Sequence, residues 1–331
     1  MRRLGTFAPW PLIRGAVTLA VLLLVLRGLD LGQVGGLFRE FKLPYLVFAL
    51  LLGVGANLLA GFAWKALLDA LAVRLSLLDV VRFYAMGLFF NIFTPGGVAG
   101  DAVRIHQLHR KTARGIEGFT SILISRVLSI ITLLLVGAGA AAVVLPGLPS
   151  SRLAFTLLVG SSVGLLLLML LNRPLQPLLL RLPEGGLKRL VMRVLASLEL
   201  LPQRPGPLTR ASVFFTVHHL LVVLSVYLAA LALDLHIPFP WMLALVPLAR
   251  VLVLLPVSIS GLGVQEAAFV VLFAQVGVGA PAAFSVSLLS HLVLMVVPLS
   301  GGLVFLLGRG RAGSKGLPRP QYQESKLKGR V

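Results

Sequence analysis

The sequence contains no cysteine, so neither a disulfide nor a thiolate-held metal is available to the chain. Acid is almost as scarce, with 11 Asp and Glu against 30 Lys and Arg in 331 residues. Charged residues make up 12% of the chain, about half of what a soluble domain of this length carries. Two familiar catalytic signatures are missing as well. There is no His-Glu-x-x-His and no Walker loop. Gly261-Leu262-Gly263 has no strand before it, which excludes a dinucleotide-binding turn. No cofactor, no metal and no enzymatic activity are expected.

What the chain has in quantity is apolar surface: 58% of its residues are hydrophobic. Apolar runs of about 20 residues recur, the length that crosses roughly 30 Å of hydrocarbon. The formal charge of +19 could suggest a nucleic-acid partner, but membrane proteins concentrate Lys and Arg in their cytoplasmic loops. A basic face of that kind attracts anionic lipid, at about 1 kcal/mol per well-placed charge. The expected partner is therefore membrane lipid and not nucleic acid. Met1-Arg2-Arg3 precedes an apolar stretch without a convincing cleavage site, which reads as a retained first span.

The pattern predicts six full spans, near residues 11–29, 43–64, 116–145, 152–171, 211–233 and 282–307. Two further apolar stretches are too short to cross. One, 83–93, stops at Thr94-Pro95-Gly96-Gly97. The other, 241–256, stops at Ser258-Ile259-Ser260-Gly261-Leu262-Gly263 and is followed by a short apolar helix over 264–276. Residues 172–210 read as a cytoplasmic connector with an interfacial helix over 187–201. The basic tail, 309–331, reads as disordered.

Placing both termini and residues 65–82, 101–114 and 172–210 in the cytoplasm puts most Lys and Arg inside. Residues 83–100 then cannot cross, and they must enter and return as a re-entrant hairpin. The same reasoning makes 241–276 a second hairpin, entering from outside. A shift of 165 residues superimposes Asp101 on Glu266, Gly96 on Gly261, Gly137 on Gly302, Ser125 on Ser290 and Arg126 on His291. The expected fold is thus an all-α polytopic membrane protein whose domain, 1–308, holds an inverted repeat of units 43–145 and 208–308. Broken helices meeting at the midplane are a recurrent transporter architecture. Irregular backbone at that depth must face protein or water, so the two breaks are expected to border one cavity.

Arg126 lies about ten residues inside an apolar helix, roughly 15 Å along its axis. It must be paired or hydrated there, either as the partner of an acid or as a guanidinium fork for phosphate. Asp101 and Arg104 open the helix after the first break, where Asp101 suits the helix dipole or an ion-pair gate. Glu266 occupies the matching place after the second break and could take up a proton. Asn91 ends the helix before the first break, where its amide can satisfy freed backbone groups. His218 and His219 are adjacent in a span, and helical geometry directs them to different faces, against a shared metal.

Two motifs carry a family resemblance. The first is Asn91-Ile92-Phe93-Thr94-Pro95-Gly96-Gly97, then Gly100-Asp101-Ala102-Val103-Arg104, continuing to Ser125-Arg126. The second is Pro256-Val257-Ser258-Ile259-Ser260-Gly261-Leu262-Gly263-Val264-Gln265-Glu266. In this order and spacing the chain resembles the flippase-like transmembrane region of lysylphosphatidylglycerol synthase, over nearly its whole length. The resemblance implies a lipid translocase of the inner membrane, with Arg126 meeting the lipid phosphate and Asp101 and Glu266 gating or coupling. Aminoacyl transfer, the work of a separate soluble domain in the two-part enzyme, is not expected here. Two alternatives remain: a subunit presenting lipid to a separate glycosyltransferase or lipid-modifying enzyme, and a proton-coupled solute transporter. His291 departs from the family pattern, which often has arginine there, and it introduces a group that titrates near neutral pH.

Overall fold

A computed structural model describes residues 10–39, 41–94, 98–144, 205–254, 258 and 260–312. The described residues form ten α-helices and no strand. They are α1 (Trp10–Arg27), α2 (Leu31–Arg39), α3 (Leu43–Ala70), α4 (Leu77–Ile92) and α5 (Val98–Thr112). After these come α6 (Gly115–Val144), α7 (Pro205–Ala232), α8 (Phe239–Val253), α9 (Val264–Ala274) and α10 (Ala280–Ala312). The span expected over 152–171 and the interfacial helix over 187–201 lie outside the described residues.

Four helices are long and apolar enough to cross a membrane: α3, α6, α7 and α10. The protein is a multi-pass membrane protein. Its lipid-facing side chains include Phe48, Leu51, Leu303 and Leu307, all exposed. The first span departs from expectation. α1 ends at Arg27 and the chain turns by 87° into α2, because Gly28 and Asp30 break the helix and Asp30 Oδ1 accepts from the N–H of Gly32 at 2.9 Å. Residues 31–39, between the first two expected spans, are therefore helical.

A second boundary also moves. Residues 65–82 were expected as a polar stretch, yet α3 continues to Ala70 and α4 starts at Leu77. Lys65 and Asp69 sit one turn apart and pair at 2.8 Å, so the polar residues extend the helix rather than end it. Ser76 then caps α4 by accepting the N–H of Asp79. Similarly, residues 205–210 belong to α7 and 309–312 to α10, not to a connector and a tail.

α3 and α7 run antiparallel as the central pair. The N–H of Lys42 donates to Ala232 O (2.7 Å), Ser225 Oγ to Ala49 O (2.8 Å) and His218 Nδ1 to Ala56 O (2.8 Å). The contacts recur every seven residues on both helices, the spacing of long helices packed side by side. α4 and α5 are also antiparallel, since Asn91 meets Gly100 and Gly87 meets Arg104.

Shifted by 165 residues, α3 to α6 fall on α7 to α10 with every end agreeing to within four residues. The packing repeats as well, but across the halves: α4 lies on α10, and α8 lies on α6. Gly302 admits the ring of Phe89 from α4, and Gly137, its counterpart at the same offset, admits Pro247 from α8. Each half has its own core, one around Trp64, Leu67 and Leu68, the other around Met242, Phe269 and Phe273.

Where α3 begins and α7 ends, Lys42 Nζ and Asp234 Oδ1 pair at 2.6 Å in the open. The hydrogen bond and charge of Lys42 hold the Asp234 carboxyl below its ordinary value of 3.8. A group depressed in the folded state adds stability above its unfolded value and loses it as pH falls through the folded one. Asp234→Asn is therefore expected to lower the melting temperature slightly at neutral pH. Melting curves of variant and wild type should converge only well below pH 3.8, once the folded carboxyl is protonated; equal melting at neutral pH would contradict this pairing.

Candidate functional site

The first break is closed by two side chains that precede it, which accept backbone N–H groups from the helix that follows. Thr94 Oγ1 accepts the N–H of Ala99 (3.2 Å) and Asn91 Oδ1 accepts that of Gly100 (2.8 Å). Two otherwise orphaned donors at the start of α5 are thereby satisfied, the structural role that the position of Asn91 suggests. Pro95, Gly96 and Gly97 lie outside the described residues. Gly100 passes so close to α4 that a Cβ there would fall 1.9 Å from Gly87 O.

The next residue, Asp101, is buried and pairs with Arg104 and with Arg126, whose Nε donates to Oδ2 at 2.6 Å. The Arg104 guanidinium also lies 5.4 Å from the ring of Trp64 and 5.2 Å from that of Tyr84. Two aromatic faces and a carboxylate thus surround a buried cation. The side chain of Arg126 is 44% exposed. Of the two roles open to it in the sequence, it takes up that of partner to Asp101.

The second break is built by backbone. Gly261 and Gly263 have φ of +81° and +79°, which lets the chain turn back into α9. Glu266 is buried at 1% exposure, and its Oε2 accepts the N–H of Gly263 at 2.6 Å. His291 Nδ1 lies 3.5 Å from Glu266 Oε1, a looser approach than that of Arg126 to Asp101. The residues matched by the 165-residue shift therefore meet in both halves, acid to base. Pro256 lies outside the described residues.

Between the two breaks lies a cavity of about 320 Å³. Asn91 and Ile92 reach it from the first break, and Val253, Leu254, Ser260 and Gln265 from the second. Asn57, Ser129, His218, His219 and His291 contribute polar surface from the long helices. Arg250, from α8, supplies the only permanent charge among the described lining residues. Asp101, Glu266, Arg104 and Arg126 do not line it.

Two sequence readings change here. His218 and His219 do not diverge: their rings stack edge to face at 4.8 Å and both border the cavity. Side chains 100° apart on a helix can share one cavity when it wraps around that corner of the helix. His218 donates to Ala56 O and His219 Nε2 to Ser129 O, so each ring is oriented by a carbonyl of a neighbouring helix. No set of metal-ligating side chains occurs among the described residues. The sequence singles out Arg126, whereas the cavity is bordered by Arg250, which carries no motif. Its one available signal was cost, since an arginine at membrane depth needs a polar surface to face.

A family model described as the lysylphosphatidylglycerol synthase TM region matches residues 12–302. The chain belongs to that family. A comparison with curated proteins finds no match. Membership places both breaks, the cavity and the two acid–base pairs within the family's membrane region. It ties the chain to a lipid-synthase lineage without fixing what this member carries.

Proposed function

We propose that this member of the family is a non-enzymatic lipid translocase of the inner membrane, moving a phospholipid or glycolipid head group between leaflets. The observation that carries the reading is the polar cavity between the two helix breaks. Non-helical backbone at membrane depth is stable only where protein or water satisfies it, and here it borders an arginine, three histidines and three amides. A volume of about 320 Å³ is at the small end of ligand sites, enough for a head group but not for two acyl chains. The chains would stay in the bilayer.

In this reading α4–α5 and α8–α9 are re-entrant hairpins, and units 43–145 and 208–308 are an inverted repeat with both termini in the cytoplasm. The agreement of helix ends at the 165-residue offset supports it. So does the length of α9, 11 residues or about 16 Å, too short to cross. Asp101–Arg126 and Glu266–His291 would be the paired latches beside the cavity, one joining an acid to an arginine and the other an acid to a histidine.

Purified protein reconstituted into vesicles with fluorescent phosphatidylglycerol in both leaflets tests the proposal. Translocation makes the inner-leaflet probe accessible to an external quencher, whereas empty vesicles protect it. Protection equal to that of empty vesicles, for phospholipid and glycolipid probes alike, overturns it. The synthase in the family description favours a second reading, a subunit that presents lipid to a separate enzyme. That reading requires an enzyme to co-purify and no lipid movement by the chain alone. Solute uptake driven by a proton gradient without lipid movement would mark a small-solute transporter.

A further inference from the structure

We infer that Arg250 is the anion-receiving residue of the cavity, and that the site takes an anionic phosphodiester with hydroxyl groups while rejecting a head group that carries an ammonium. This deepens the translocase reading and rests on it for the lipid, but the site itself stands on its lining. Arg250 borders the cavity, and no carboxylate among the described residues pairs with it. The acids nearest the breaks are already engaged, Asp101 by Arg104 and Arg126, Glu266 by the N–H of Gly263 and by Ser287. Among the described residues the acids near the breaks are thus turned away from the cavity, and Arg250 is the fixed charge left in its lining.

The neutral groups continue the pattern. Asn57 Nδ2 donates to Gly53 O, Gln265 Nε2 donates to Ser287 and His218 Nδ1 donates to Ala56 O. Each is left with an acceptor: the Asn57 carbonyl, the Gln265 carbonyl and the neutral His218 Nε2. Asn91 accepts the N–H of Gly100 and keeps its amide donors. A guanidinium, the spare amide N–H groups of Asn57 and Asn91 and several acceptors match a phosphate bearing alcohol groups: the oxyanion goes to Arg250 and these N–H groups, and the hydroxyl hydrogens to the acceptors. An ammonium could meet the acceptors but would find Arg250 and no counter-charge. In a low-dielectric site an unpaired charge of that kind is excluded.

Native mass spectrometry of the full chain in detergent, titrated with single lipids, tests the inference. Dioleoyl phosphatidylglycerol should bind at least about tenfold tighter than dioleoylglycerol and than lysyl-phosphatidylglycerol, a difference of about 1.4 kcal/mol. Arg250→Gln should lose that advantage and Arg250→Lys should keep part of it. Leu252→Ala, on the exposed side of the same helix, should bind as wild type does. Equal affinity for the lysyl lipid in unmodified protein overturns the inference even if Arg250→Gln fails to fold, and so does an Arg250→Gln variant that folds and binds phosphatidylglycerol normally. Free glycerol phosphate is the control for source. If it binds through Arg250 while no lipid does, the anion site stands and the lipid translocase falls. If vesicles show translocation that Arg250→Gln leaves intact, the translocase stands and the anion site falls.

Discussion

Gly100→Ala is expected to be among the costliest single methyl additions at a described helical glycine, alongside Gly301→Ala, whose Cβ would stand 1.9 Å from Ala85 O. Replacing an interior helical glycine with alanine ordinarily stabilises by about 0.5–1 kcal/mol, because alanine has less backbone freedom to lose. Here the sign reverses. The added carbon would stand 1.9 Å from the carbonyl oxygen of Gly87 and 2.1 Å from Asn91 Oδ1. One obstacle is backbone and the other is the amide that caps α5, so neither can yield without moving α4 away from α5. Overpacking of this kind costs typically about 1–3 kcal/mol, and more where backbone must shift. The expected result is loss of the monodisperse peak on size exclusion, or a melting temperature several degrees down. Gly139→Ala is the control: nothing lies within 4 Å of that position, and it should melt at or above wild type. Equal melting of the two variants would show that α4 and α5 do not approach as described.

Asp101→Ala is expected to follow closely, through charge rather than bulk. Its carboxylate is the shared partner of Arg104 and Arg126. Removing one member of a buried ionic set costs about 3–5 kcal/mol, most of it from the charge left behind without a partner. Arg104 is nearly enclosed, with 11% of its side chain exposed, and its Nε is buried without a hydrogen-bond partner, so it has no easy retreat to solvent. Arg126, at 44%, has one. The order of destabilisation in thermal melts should therefore be Asp101→Ala, then Arg104→Ala, then Arg126→Gln. The double variant Asp101→Ala/Arg104→Met should recover part of the loss, since it removes the stranded charge together with its partner. An Arg126→Gln variant as damaged as Asp101→Ala would mean that Arg126, and not Arg104, is the cation held at this site.

The helical membrane architecture was legible in the sequence because its signal is length and hydropathy, which do not depend on tertiary context. The 165-residue correspondence was legible from two acids and the residues 25 positions after them, and those pairs do meet. Less legible were the ends of α3 and α4. Polar residues at 65–82 looked like a loop, but a Lys65–Asp69 pair one turn apart and a Ser76 cap are also what an amphipathic continuation requires. Arg250 was illegible as a site, because a single arginine says only that something must face it. What it faces comes from other helices, His218 from α7 and Asn57 from α3 in the other half of the chain. His218 and His219 were misjudged by treating side chains as radial spokes, when the cavity wraps the corner of α7 and collects both.

The crossing of the halves, α4 lying on α10 and α8 on α6, bears on how such a molecule could move. Two units that each packed on themselves could tilt past one another as solid blocks. These are clasped instead, each having placed its short helix in the other's grip at Gly302 and Gly137. Tilting the halves as blocks would pull both clasps apart together. The short helices, whose ends meet at the cavity, are thereby the ties that bind one half to the other.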